Sequence, residues 1–497
     1  MNRYISERIE LHPRELSSTT SSLLGQGFRL ALVSAVDDDQ SLRIIYLFTK
    51  GPPDQRVEVV VYLNRSRPEI PSLSGISFSA SRFEREMHDL FGIVPLGHPF
   101  LKKLVLHQHW PDNWYAMRSE PGIFPKLVDK SGPYPFTQVN GEGVYEIPVG
   151  PIHAGLIEPG HFRFSVVGET IIKMTARLWY LHKGVEKLFE GCSIVAGMKL
   201  AERISGDTAV GHGLAYCLAV EDALCIEVTE RATELRLILL EIERIYNHIA
   251  DIGAMCNDVG FGIVQAKALA LREMLLRINH RITGHRLLRG GVTIGGAHLK
   301  SLPSPKEISA IESNFLELVQ LIKNQTIVVD RFTGTAILNI DDVRDLGVVG
   351  VVARASGLNF DGRESHPLGK PITNFNSALA KNGDVMARLD VRIAEVETSL
   401  LILTDYCSRP GKLETVNTIK TKDISKTKSG TGIVEGWRGI ITHRIEINKD
   451  QQVTRARTID PSFFNWPALA VALSETIVPD FPLANKSFNL SYAGNDL

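Results

Sequence analysis

The sequence has few cysteines, and no two of them have the spacing that metal ions favour. Five cysteines are spread over 497 residues without a single C-x-x-C pair. An odd number of isolated thiols is typical of reduced core cysteines in a cytosolic protein. It argues against a disulfide framework or a cysteine-bound metal. The cysteines are Cys192, Cys217, Cys225, Cys256 and Cys407.

Long apolar runs and a dominant charge are absent as well. No apolar stretch approaches the length of a membrane-spanning helix, and the N-terminal residues lack the apolar core of a secretion signal. The net charge of -1 gives no electrostatic basis for binding nucleic acid or an anionic membrane. With 44% hydrophobic and 22% charged residues, the composition is that of an ordinary globular protein.

Residues 1–106 alternate short strand-like runs with helical ones. Residues 28–35, 42–49 and 57–63 are rich in β-branched and aromatic side chains, which predicts three strands. Residues 81–91 have the composition of a short helix. This part of the chain is therefore predicted to be a small α+β domain.

A segment rich in proline and aromatic residues follows, from 107 to 146, and predicts an irregular linker that lies on a surface. Residues 147–497 are predicted to form a second, mainly helical domain. Apolar residues recur with helical period over 231–252, whereas a hairpin turning at Gly168 and residues 432–459 have strand patterns. The predicted fold class is thus α+β, with small antiparallel sheets in the second domain.

Two short motifs have the spacing of metal-binding motifs but lack the ligands. The segment from Arg203 to His212 fits R-x-C-G-x-C-x-x-x-H, with Ser205 and Thr208 at the cysteine positions. Near the C-terminus, Ser491 and Gly494 stand at the positions of a second cysteine pair. Neutral hydroxyls and a glycine cannot replace the thiolates that a soft metal centre needs, so we predict no metal site.

The first domain resembles the C subunit of respiratory complex I. Two stretches carry the resemblance, Glu84-Arg-Glu-Met-His-Asp-Leu-Phe-Gly-Ile93 and Gly97-His-Pro-Phe-Leu-Lys-Lys-Leu-Val105. They follow the pattern E-R-E-x-x-D-x-F-G-I and then G-H-P-x-L-x-x-I, with few departures. The charged residues of the first stretch lie within one and a half helical turns, which predicts intrahelical or interdomain ion pairs.

The second domain resembles the complex I D subunit and the large subunit of energy-converting nickel–iron hydrogenases such as formate hydrogenlyase. The matching stretches in chain order are 150–153, 158–163, 182–187, 354–363, 383–388 and 461–465. Their order and the C–D fusion extend the resemblance over nearly the whole chain. It implies the hydrogenase large-subunit fold, in which the four lost ligands stand where nickel–iron cysteines belong.

The resemblance also implies roles for individual residues. His161 aligns with a histidine that lines the quinone cavity of complex I, and Asp258 aligns with its aspartate partner, as a proton relay or a structural pair. The tyrosine that holds the quinone falls at Gly206, which counts against quinone reduction there. Arg438 aligns with an arginine over the nickel–iron site. Further residues expected to line the cavity or form ion pairs are His153, Arg163, Glu186, Arg203, His212, Arg354 and Asp361, with Arg363 and Arg388 in the network of Arg354.

Three functions are compatible with the sequence. In the first, the chain is a cytoplasmic-arm subunit of a membrane-bound, ion-translocating oxidoreductase that has no nickel–iron site. It would couple redox chemistry at a partner subunit to the membrane arm. In the second, it is a quinone-reducing subunit of NADH-quinone oxidoreductase type that uses His161 and Asp258. The third is a hydrogenase with unusual ligands, against which the four replaced positions count. Whether the chain is itself an enzyme stays open.

The resemblance implies partners rather than cofactors bound directly by this chain. Expected partners are a small iron–sulfur subunit with a 4Fe–4S cluster, a ferredoxin-like iron–sulfur subunit, and membrane-anchor and antiporter-like subunits. The expected location is the cytoplasmic face of the membrane. NAD and quinone binding are properties of the wider family, and quinone is the one candidate ligand for a cavity in this chain.

Overall fold

The first domain is built on a four-stranded mixed sheet. The computed structural model describes residues 4–127, 134–154, 157–372, 375–416 and 427–497. The sheet order is β1-β4-β3-β2, with β1 parallel to β4 and the other pairs antiparallel. The elements are β1 Ile5–Leu11, α1 Leu16–Gly25, β2 Arg29–Asp37, β3 Ser41–Lys50, β4 Gln55–Asn64, β5 Glu69–Pro71, α2 Phe78–Phe91 and β6 Val94–Leu96. The three strands and the helix expected from the sequence are all present.

Helix α2 ends at Gly92 because the chain must turn sharply there. Gly92 has a φ of 69°, and a Cβ at this position would overlap the ring of Tyr115. Glu84, Glu86 and Asp89 of α2 are all buried, so the helix brings three carboxyl groups into the protein. The helix therefore carries polar contacts to the rest of the molecule as well as apolar packing.

The segment between the domains has no helix or strand among its described residues, from 97 to 143. It is fixed to the protein by Asp89, which accepts hydrogen bonds from the backbone N–H groups of residues 104–106 at 2.7, 2.8 and 3.2 Å. Met117 is also buried. The segment lies on the protein surface as predicted, although a strand begins at Val144, within the span assigned to the linker.

The second domain contains three small antiparallel sheets. The first is a meander that includes the hairpin predicted to turn at Gly168. The third lies against a long helix and forms part of the domain core. Their strands are β7 Val144–Val149, β8 His161–Val167 and β9 Thr170–Arg177; β10 Val292–Thr293, β11 Gly296–His298 and β12 Glu414–Val416; and β13 Lys428–Glu435, β14 Ile440–Ile447 and β15 Val453–Ile459.

The helices make up most of this domain. They are α3 Val185–Phe189, α4 Ile194–Ala201, α5 Ala209–Leu224, α6 Glu230–Asp258, α7 Gly262–Thr283, α8 Pro305–Lys323, α9 Thr326–Phe332, α10 Ile340–Leu346, α11 Gly350–Ala355, α12 Gly362–Ser365, α13 Val385–Ser408, α14 Pro461–Ala472, α15 Phe481–Phe488 and α16 Tyr492–Asp496. Helix α6 is longer than predicted. Its Gly253 faces Ala268 of α7, where a Cβ would come within 2.6 Å, so glycine permits close helix packing.

The two largest apolar cores among the described residues hold the protein together. One lies among the helices of the second domain and its third sheet, and the other runs across both domains. In the second core, Phe83 of α2 stacks on Phe463 of α14 with ring centroids 4.6 Å apart. Such shared packing joins the domains through buried apolar surface. No helix among the described residues is both long and apolar enough to cross a membrane.

Candidate functional site

The structure brings together the four positions that were interpreted from the sequence as lost metal ligands. Ser205 and Ser491, 286 positions apart in the chain, have hydroxyl oxygens 2.9 Å from each other. Thr208 directly precedes α5, and Gly494 lies in α16, where its N–H donates to Ser491 Oγ at 2.8 Å. The two motifs, which are far apart in the sequence, thus lie at one place in the fold.

An ion pair stands at the centre of these positions. Asp207, between Ser205 and Thr208, accepts hydrogen bonds from both hydroxyls at 2.8 and 2.9 Å. Arg438 donates to the two oxygens of the same carboxylate, from Nη1 at 2.8 Å and from Nη2 at 2.6 Å. This two-pronged geometry is the strongest form of an arginine–carboxylate contact.

The surroundings keep both partners charged. Burial raises the pKa of Asp207, but the charge and hydrogen bonds of Arg438 outweigh it and hold this pKa well below its usual range. The guanidinium carbon of Arg438 lies 3.9 Å from the ring centroid of Trp437, and its Nε donates to the carbonyl oxygen of Asn489. Arg438 is therefore fixed on three sides.

A second carboxylate fills the space beside Gly494. A Cβ at position 494 would lie 2.6 Å from Cγ and Oδ2 of Asp460. The same Asp460 Oδ2 lies 3.1 Å from Nε2 of His212, whose other ring nitrogen is 3.1 Å from Nε2 of His443. Burial raises the pKa of Asp460, but the bond to His212 outweighs it and lowers this pKa. The histidine of the first motif thus has a carboxylate partner.

Glycine at 494 is accordingly required by packing. Replacing Gly494 with alanine should destabilise the protein by about 1–3 kcal/mol, because the new methyl group would overlap the Asp460 carboxyl. Gly206 is the matched control: a Cβ there would have no atom within 4 Å, so Gly206→Ala should change stability by less than about 0.5 kcal/mol. Chemical denaturation of both variants measures the difference. Equal stability of the two variants would show that the Asp460 carboxyl can move away from a new Cβ at little cost. A cysteine at 494 would carry the same Cβ.

A chain of polar contacts leads inward from the ion pair. Asn489 accepts from Arg438 and donates from its side chain to Asp251 Oδ1 on α6 at 2.5 Å. Asp251 in turn accepts from Arg392 of α13 at 3.1 Å. Asp251 and Arg392 begin a line of paired charges between the two helices.

Helices α6 and α13 share this buried charged seam. Glu395 is its hub: it accepts from Arg354 Nη2, lies 2.8 Å from His248 Nε2 and accepts from Arg244 at 3.3 Å. All four side chains are fully buried. Burial raises the pKa of Glu395, but Arg354 and the other partners outweigh it and hold this pKa well below its usual range. A carboxylate here stays ionised because three donors meet on it.

The expected arginine network therefore exists, with one correction. Arg354 lies 3.5 Å from Asp361, and Arg363 contacts the same carboxylate at 2.7 Å. Arg388, expected in the same network, has no ion pair among the described contacts. It donates instead to Ser487 Oγ and to two backbone carbonyls, and burial lowers its pKa to about 9. It fixes the backbone around α13 rather than a carboxylate.

His161 and Asp258 are not brought into contact. His161 is the first residue of β8, and its Nδ1 lies 3.2 Å from the carbonyl oxygen of Gly150. Asp258 is the last residue of α6, and burial raises its pKa against the opposing charge of Lys486. None of the hydrogen bonds or ion pairs of the described residues joins the two side chains. Their joint role as a proton relay stays a prediction.

The other predicted residues lie outside the Asp207–Arg438 cluster. Arg203 is exposed and donates to the carbonyl oxygen of Lys199, which corrects the expectation that it lines the cavity. Glu186 pairs with Arg455 and Arg457 at 2.8 and 3.0 Å. The remaining contacts are His153 Nε2 to Gly160 O at 2.7 Å and Arg163 Nη1 to Glu146 Oε2 at 3.1 Å.

Three aspartates at the site were not singled out from the sequence. Asp207 had one available signal, since an acidic residue stands between two lost ligand positions. Asp460 directly precedes the matched 461–465 stretch. Asp251 gave no comparable signal, because a charged residue within an amphipathic helix usually faces solvent.

Comparisons with known proteins agree with this architecture. Residues 9–121 match the family described as respiratory-chain NADH dehydrogenase, 30 Kd subunit, and residues 258–429 match the 49 Kd subunit family. Formate hydrogenlyase subunit 5 of Escherichia coli K12 is 32% identical over 455 residues, covering 88% of this chain and 79% of that protein. Hydrogenase-4 component G of the same strain is 31% identical, with 86% and 76% covered.

The chain belongs to the family of these two hydrogenase subunits. The fused C/D subunit of the NADH-quinone oxidoreductase of Phocaeicola vulgatus is also similar, 29% identical over 88% of this chain and 89% of that protein. This family comprises fused 30 Kd and 49 Kd domains, and its members are subunits of complex I-like or energy-converting-hydrogenase-like membrane complexes.

A solved structure shares the fold. A chain in the structure of the membrane-bound sulfane sulfur reductase, an archaeal respiratory membrane complex, superposes with a TM-score of 0.64. It is 23% identical and covers 71% of this chain and 99% of its own length. This match shows a shared fold and says nothing about a shared activity.

Proposed function

We propose that this chain is a metal-free subunit of an ion-translocating oxidoreductase on the cytoplasmic face of a membrane. In this proposal it packs against a small iron–sulfur subunit, with ferredoxin-like, membrane-anchor and antiporter-like subunits completing the complex. It couples redox chemistry at the 4Fe–4S cluster of its partner to the membrane arm. The family membership supports the setting, and the geometry of the four replaced positions supports the absence of a metal.

The Asp207–Arg438 ion pair is the observation that carries the proposal. A nickel–iron centre needs thiolates, and these positions offer three hydroxyls and a glycine. The guanidinium of Arg438 and the carboxylate of Asp207 meet where the four positions converge, and Asp460 fills the space beside Gly494. The residues present do not fit a nickel–iron centre. Their polar groups instead satisfy one another, which favours a stable site without metal.

Metal analysis tests this proposal directly. The complex purified anaerobically with this chain should contain no stoichiometric nickel, and it should neither evolve nor oxidise hydrogen with viologen dyes. Iron from the partner clusters serves as the internal control, because its presence shows that metals survived the purification. About one nickel per chain, or hydrogen turnover that copurifies with it, would refute the proposal.

A quinone-reducing role is the second candidate, and one observation favours it. Nε2 of His161 is buried and has no hydrogen-bond partner among the residues that the structure describes. The Nδ1–H of the ring donates to the carbonyl oxygen of Gly150, so Nε2 is left to accept a hydrogen bond, and the hydroxyl of a quinol, the reduced form of the headgroup, would satisfy it. Against this, Gly206 offers no phenol to hold a headgroup. The two candidates differ in one measurement: quinone reduction that is lost in the assembled His161→Gln complex belongs only to the second.

A further inference from the structure

The carboxylate of Asp207 is held by donors from two segments of the chain, its own neighbours Ser205 and Thr208 and the distant Arg438. Its Oδ1 accepts from Ser205 Oγ, Thr208 Oγ1 and Arg438 Nη1 at 2.8, 2.9 and 2.8 Å, and its Oδ2 accepts from Arg438 Nη2 at 2.6 Å. The planar guanidinium matches the two oxygens of a carboxylate, and the hydroxyls add two further donors. Together these groups form a preorganised carboxylate receptor.

The groups that bind the Asp207 carboxylate are buried, whereas the Asp207 side chain itself is partly exposed. The side chain of Arg438 is 6% exposed and that of Asp207 is 36% exposed. Ser205 and Thr208 are both buried, and Trp437 and Asn489 fix the guanidinium. Next to Asp207, Gly206 has open space around it. The occupant therefore sits at the mouth of the receptor, with room on its outer side.

Replacement of the Asp207 carboxylate by another carboxylate is more favourable than loss of the Asp207 carboxylate alone. If Asp207 turned outward alone, water would solvate its carboxylate, but Arg438 would be left as a buried charge without a partner, which is strongly unfavourable. A carboxylate that entered from solution would meet the same four donors. One charge-assisted contact then replaces another, and only the hydration of the two anions differs.

Because these donors are buried while Asp207 is partly exposed, we infer that the receptor is a binding site for a small carboxylate. In this structure the Asp207 side chain occupies the site as an internal ligand. The space is that of one carboxyl group, so the ligand has a planar two-oxygen head and extends, if at all, outward past Gly206. The inference rests on the metal-free site proposed above, because a metal would occupy the same place.

An acetate titration of the purified complex tests the inference. Asp207→Ala empties the receptor, so acetate should bind this variant and raise its melting temperature more than sodium chloride at equal ionic strength. Wild-type protein should bind acetate at least about tenfold more weakly, because its affinity is reduced by the fraction of molecules in which Asp207 has moved out. Asp405→Ala is the matched control. Arg409 donates to Asp405 from two nitrogens, but this ion pair lies on the exposed surface, so we expect no effect that is specific to acetate.

Each outcome decides the matter. Binding to both wild type and Asp207→Ala, abolished by adding Arg438→Gln, supports the inference. Binding to the variant alone overturns it, because the receptor then serves only Asp207. Binding that survives Arg438→Gln overturns it too, since the acetate is held elsewhere. The wild-type titration suffices if the variant does not assemble. Absence of acetate binding in nickel-free protein refutes only this inference, whereas nickel in the protein refutes the proposed function.

Discussion

Glutamine in place of Glu395 should cost about 3–5 kcal/mol of stability and leave little assembled protein. The change keeps the shape of the side chain but removes its charge, so Arg354 and Arg244 lose the carboxylate that both contact. Neither arginine can reach water, because both are fully buried. Chemical denaturation and the yield of the assembled complex measure the effect.

Asp390, on the same helix, provides the control. It pairs with Lys323 at the surface, where its side chain is 45% exposed, so Asp390→Asn should cost about 1 kcal/mol or less. If the two variants lost equal stability, Glu395 would contribute no more to the free energy of unfolding than a residue of a surface ion pair.

Methionine in place of Arg457 should weaken the contact between the two domains. Arg457 donates to both oxygens of Glu86 on α2 at 2.6 Å and to Glu186 of the second domain at 3.0 Å. Without it, Glu86 is left as a buried carboxylate with no cation, which costs about 3–5 kcal/mol. Faster limited proteolysis between 97 and 143, together with a lower unfolding midpoint, would report the loss of the contact.

Two further variants make this test specific. Arg277→Met removes an exposed arginine that pairs with Glu273 on the same helix, and it should leave proteolysis unchanged. Adding Glu86→Gln to Arg457→Met should recover part of the stability, because the unpaired charge is gone. A double variant as unstable as the sum of both single changes would contradict the role of Arg457 as the bridge.

Local pattern was sufficient for several of the helices and strands. The apolar period over 231–252 identified α6, and the β-branched runs identified β2, β3 and β4. Where pattern was insufficient, tertiary contacts decided. Apolar residues keep a helical period from 304 to 329, but the chain forms two helices there, α8 and α9, because it leaves helical geometry at Gln325. Helix α6 continues beyond Gly253 because α7 packs closely against that glycine.

The sequence by itself determined which residue types stand at the positions of the two short motifs, Ser205 and Thr208 in one and Ser491 and Gly494 in the other. Ligand identity and spacing are local properties of the chain. The partners of the remaining charges are not local: Arg438 meets Asp207 across 231 positions, and His212 meets Asp460 across 248. The alignment paired His161 with Asp258, but the folded chain gives each different neighbours. Hydrogen bonds form only over about 3 Å. Only the tertiary structure, which sets such distances, could decide that an aspartate and an arginine meet beside the positions of these two motifs.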